Sequence, residues 1–186
     1  MKAAADHSSA HAGHQHPHQR EEGRGKHLSD YLPLIVIFAL AILAALAKQR
    51  AYADGWSLER GMHDFMGFFL VVFSMFKFFD LSGFADGFQM YDLLAKPFRP
   101  YAYVYPFIEL GLGLGYLATT GSVTLYAATI VVMGFGALGV GVALSRKLDI
   151  ECACMGTVLH VPLSTVALVE DIGMAVMAAA MWVSVK

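Results

Sequence analysis

Leu32-Pro33-Leu34-Ile35-Val36-Ile37-Phe38-Ala39-Leu40-Ala41-Ile42-Leu43-Ala44-Ala45-Leu46-Ala47 carries no charge, while Asp30 precedes it and Lys48 and Arg50 follow it. An apolar run of this length with charged flanks reads as a short membrane-spanning helix, because hydrocarbon tolerates neither bare backbone polar groups nor unpaired charge. Ala51-Tyr52-Ala53 resembles a small-residue cleavage site, but two basic residues separate it from the apolar run, so a retained span is the reading taken. The rest of the chain repeats the pattern. Of its 186 residues 57% are hydrophobic and 15% charged, an apolar share above that of ordinary soluble domains.

Working outward, further spans are expected at about 62–81, 101–118, 123–144 and 161–183, five in all. The stretch 82–100 mixes Asp86, Asp92, Lys96 and Arg99 with Phe84, Phe88 and Leu93, as an amphipathic interfacial segment would, and Pro97 and Pro100 stop it. Tyr101, Tyr103 and Tyr105 mark a headgroup level. Gly111 and Gly115 form a small-xxx-small pair, and Gly134, Gly136, Gly139 and Gly141 crowd the next span, which predicts close packing of the third and fourth spans. Residues 1–30 lack apolar periodicity and are expected to stay disordered.

A formal net charge of -2 excludes a nucleic-acid surface. Lys2, Arg20, Arg24, Lys26, Lys96, Arg99, Arg146 and Lys147 fall on one side of the expected topology, and Lys48, Arg50, Arg60 and Lys186 on the other. The positive-inside bias therefore predicts a cytoplasmic N-terminus and a cytoplasmic loop between the fourth and fifth spans, in a bacterial inner membrane.

That loop reads Asp149-Ile150-Glu151-Cys152-Ala153-Cys154-Met155-Gly156. Cys152 and Cys154 are too close to staple distant parts of a fold, so their use is chemical or incidental. Two thiols beside the thioether of Met155 suit a soft ion such as Cu(I), with His160 the nearest histidine to add. The same pair suits a dithiol–disulfide couple serving a partner protein, and two small buried hydrophobes are the plain alternative. His7, His11, His14, His16 and His18 form a tract that collects metal without fixed geometry, or else a solvated tail.

Charges inside the apolar spans demand partners. Glu109 lies about nine residues into the third span and Glu170 and Asp171 about as far into the fifth, a common depth. Lys77, near the end of the second, is expected to reach one of these acids, with Asp80 its local i,i+3 partner. Such groups are functional candidates by default, or an ion-pair knot that fixes packing. Met174, Met177 and Met181 share a face with Glu170, more in the manner of packing than of a sulfur ladder. His63 and Asp64 open the second span, where an exit site competes with a plain helix-start acid.

Phe69 to Lys77, Gly83-Phe84-Ala85-Asp86, Tyr91-Asp92-Leu93 and Tyr101 to Glu109 are similar to the MauE/DoxX-like family of redox-associated membrane proteins. So are Cys152-Ala153-Cys154-Met155-Gly156-Thr157, Pro162 to Val166 and Glu170-Asp171. The resemblance implies a four-helix membrane core at about 60–185 and, for methylamine-utilisation members, a role in maturing a periplasmic dehydrogenase. Here a histidine-rich tail (1–30) and one additional span (31–50) stand ahead of that core. The expectation is an all-α, polytopic transmembrane helical bundle in the lipid bilayer. It handles copper or another soft metal ion through the Cys-x-Cys loop and intramembrane carboxylates, or acts as a thiol–disulfide accessory, or serves as a structural subunit. A metal donor or thiol partner protein is expected, no organic cofactor is, and a homo-oligomer is left open.

Overall fold

The computed structural model of the chain describes residues 31–52, 55–119, 122–146 and 163–185, with the side chains of the last helix described from Leu168 onward. These residues form six helices and no strand: α1 Leu32–Gln49, α2 Leu58–Phe79, α3 Leu81–Gln89, α4 Arg99–Ala118, α5 Val123–Ser145 and α6 Leu163–Ser184. The fold is an all-helical membrane bundle. Its four long helices α2, α4, α5 and α6 are joined by α1 and the short α3.

Local chemistry sets the helix ends. Pro33 and Pro100 occupy the first turns of α1 and α4, where a missing N–H costs nothing. Ser57 and Ser122 accept hydrogen bonds from the first-turn amides of α2 and α5. Asp80 has left helical geometry (φ -143°, ψ 78°), which ends α2, and its carboxylate accepts from the Gly83 amide at 2.8 Å, which starts α3. The second helix thus opens at Leu58, four residues before the expected Met62, because the Ser57 cap lies there.

Among the described residues α1, α2 and α5 are long and apolar enough to cross a membrane. α4 has 20 residues, about 30 Å of helix, but Tyr101, Tyr103, Tyr105, Pro106 and Glu109 lower its hydropathy. Leu40, Leu43, Phe107, Leu138 and Val176 point outward from four different helices. Lipid is the solvent in which so much exposed apolar surface is stable.

Packing proceeds in pairs: α4 lies on α2, α6 on α5, α1 on the outside of α2, and α3 against α4. Phe38 of α1 meets Phe65 and Phe69 of α2, with ring centroids 5.7 and 4.8 Å away. The α2–α4 approach rests on Gly67 and Gly113, since a Cβ on Gly113 would lie 3.1 Å from the Gly67 carbonyl oxygen. This corrects the glycine expectation in part: nothing lies within 4 Å of a Cβ placed on Gly111 and α4 packs chiefly on α2, whereas a Cβ on Gly115 would come within 2.9 Å of Leu125 of α5, as the pairing of the third and fourth spans requires.

Candidate functional site

Lys77 sits in the last turn of α2, where its stem points inward among Phe73, Phe84 and Tyr105. Its ammonium is 5.3 Å from the centre of the Tyr105 ring and 5.6 Å from that of Phe84, within cation–π range. It donates to Glu109 Oε2 of α4 and, at 3.1 Å, to Glu170 Oε1 of α6. All three side chains are buried, so this ion-paired group ties three helices together away from water. The second oxygen of Glu109, Oε1, is buried without a hydrogen-bond partner among the described residues.

Asp171 follows Glu170 on α6 and is also buried, 5% exposed. Its carboxylate lies against the α5 backbone at Gly136, where an added Cβ would come within 2.6 Å of Oδ2. Only a glycine leaves room for that approach. None of the described residues hydrogen-bonds the Asp171 carboxylate. It lines a small cavity with Lys77, Glu170, Phe84, Phe88, Tyr91 and Tyr105. Sequence reasoning singled out Gly136 only as a packing glycine and Tyr105 only as a headgroup marker, and missed that both stand beside the acids. The i,i+4 spacings of Tyr105 with Glu109 and of Phe84 with Phe88 are the signals that were there to find.

One ammonium therefore faces three carboxyl groups. Complete ionisation would leave two uncompensated negative charges in a medium that solvates none.

The other sequence candidates distribute as follows. Asp80 caps α3 and bonds Ser82 at 3.1 Å, while the partners of Lys77 come from distant helices, which corrects the expected local pair. His63 is buried, with Nε2 2.6 Å from the Tyr126 hydroxyl, and Asp64 pairs with Lys48 at 2.7 Å and accepts from Tyr52 at 3.2 Å. Both are engaged inside the bundle. Met174 and Met181 are buried core residues and Met177 packs against them. Cys152, Cys154, Met155, His160 and the histidines from His7 to His18 lie outside the described residues. Among the described residues no group of three His, Cys, Asp or Glu side chains is placed to hold a metal ion.

Asp92, in the link between α3 and α4, accepts from the amides of Leu94 and Ala95 at 2.9 and 2.8 Å. Burial pushes its carboxyl above the usual aspartate range, against the pull of those two amides and Lys96. A raised folded-state value makes the stabilising form the protonated one, so stability falls as pH rises from the unfolded-chain value through the folded one. Asp92→Asn keeps an oxygen acceptor without the charge. It is expected to match wild type near pH 4 and to melt higher near pH 7, as thermal unfolding in detergent across that range checks.

The model of the family described as methylamine utilisation protein MauE matches residues 57–184, which contain every residue of this site. The chain belongs to the MauE family. α1 precedes the matched region, so the MauE-type part comprises α2 to α6 and the buried lysine–acid group is internal to it. No curated protein and no solved structure matches the chain.

Proposed function

We propose that this MauE-family protein is a membrane-embedded accessory of disulfide formation in an exported partner, with Cys152 and Cys154 as the reacting pair. The observation that carries the reading is the family match, whose span includes both cysteines and the buried acids. The acids support it by position: Glu170 lies seven residues into α6, about 10 Å along its axis from the end that follows the cysteine loop.

A disulfide between cysteines one residue apart is strained and hence oxidising. A thiolate of the partner attacks one of its sulfurs, forming a mixed disulfide and releasing the other chain sulfur as thiolate. The partner's second thiolate then attacks the mixed disulfide, the partner gains its disulfide, and the chain is left as a dithiol. Two electrons and two protons have passed from partner to chain. The family description points to methylamine utilisation, and the resemblance implies a periplasmic dehydrogenase as the client.

A second reading, soft-metal handling with copper on Cys152, Cys154, Met155 and His160 and collection by the N-terminal histidines, is favoured by the basic-residue bias. That bias assigns the loop to the cytoplasm, where thiols stay reduced.

Membrane-impermeant thiol reagents applied to right-side-out and inverted vesicles decide between the two. Disulfide chemistry predicts labelling from the exported side only after reduction, and a mixed disulfide with the client trapped in one of the two single-cysteine variants. Labelling from the cytoplasmic side without reduction, and metal bound by wild type but lost in Cys152→Ala/Cys154→Ala, would replace it with metal handling.

A further inference from the structure

The cavity under Asp171 has about 10 Å³ open to the centre of a water-sized sphere, roughly the space of one water molecule. Five of its seven lining residues carry a polar or charged group: Asp171, Glu170, Lys77, Tyr91 and Tyr105. Both tyrosines are 3% exposed, and neither hydroxyl has a hydrogen-bond partner among the described residues. A buried water is stable where two to four such groups converge, and an apolar ligand of any size is excluded by the volume.

We infer that this cavity is a site for one water molecule and an exchangeable proton shared through it with Asp171. The surrounding charges favour a proton over a metal cation. Lys77, from α2, already places an ammonium 3.1 Å from Glu170, so a metal ion would meet a fixed positive charge across a space one water wide. A proton instead rides on a carboxyl oxygen and needs no coordination shell. The other titratable groups facing Asp171 are Tyr101 and Tyr105 of α4, Tyr91 and Asp92 of the link, and Glu170 of α6. α5 contributes the backbone at Gly136. The inference concerns the buried acids alone and stands whether the chain handles thiols or metal.

Infrared spectroscopy of the full-length protein in detergent tests it. Wild type at neutral pH is expected to show a carboxylic-acid carbonyl band that shifts on transfer to D2O. Asp171→Asn should remove it, and Tyr105→Phe should move it to higher frequency, since the water loses one of its anchors. Gly136→Ala, which keeps every acid but crowds Oδ2, should shift it as well. The inference is overturned if wild type lacks an exchange-sensitive carboxyl band, or if the band is unchanged in Asp171→Asn. It is equally overturned if sodium abolishes the band while binding one ion per chain, which would make the cavity a metal-cation site. Should Asp171→Asn not fold, Tyr105→Phe decides, because an unmoved band there removes the shared water.

Discussion

Lys77→Met is expected to destabilise the bundle by about 3–5 kcal/mol, the cost of leaving buried charge without its partner. Methionine retains most of the stem volume, so packing against Phe73, Phe84 and Tyr105 survives while Glu109 and Glu170 lose their shared ammonium. Thermal unfolding in detergent measures the loss. Adding Glu109→Gln and Glu170→Gln to the same chain should recover most of it, because a neutral buried group no longer needs a counter-charge. If Lys77→Met melts with wild type, the three side chains are not an ion-paired group. If the triple variant is stable yet inactive, the charges are kept for chemistry and not for holding the helices together.

Gly113→Ala is the second large effect, about 1–3 kcal/mol of overpacking. The new methyl would stand 3.0 Å from the Val71 amide nitrogen and 3.1 Å from the Gly67 carbonyl oxygen, and backbone atoms inside a helix do not yield as a flexible side chain does. α2 and α4 must separate. Gly113 lies one turn beyond Glu109 on the same face, so separation also stretches the Lys77–Glu109 pair. Gly111→Ala, two residues away with open space around it, is the control. It should be neutral or stabilise by up to about 1 kcal/mol through helix propensity. Melting curves of the two variants side by side check the contrast, and equal behaviour would show that glycine contact does not set the α2–α4 distance.

The two variants divide what was legible in the chain. Lys77, Glu109, Glu170 and Asp171 stood out in one dimension, because a charge inside an apolar run is anomalous whatever surrounds it. Asp80 was misassigned: i,i+3 spacing makes a partner available, but α2 ends at Asp80 and its carboxylate turns to the Gly83 amide. Gly111 and Gly115 matched a packing motif, and Gly115 does face Leu125 of α5, yet Gly111 faces open space and Gly113 makes the backbone approach to α2, since a spacing of four identifies a helix face without saying what lies against it. The cavity was invisible. Tyr91 enters it from a link, Tyr105 from α4 and Asp171 from α6, and no periodicity within one segment connects them.

Solvation is a property of each stretch taken alone, so the amino-acid order by itself determined the apolar helices, the break at the prolines, and the acids and lysine that had to find partners. Partner choice is a property of neighbouring helices. Lys77 meets residues 32 and 93 positions away because glycine-mediated contact of α2 with α4 and the seating of α6 on α5 bring those faces together, and that geometry exists only once the bundle has closed.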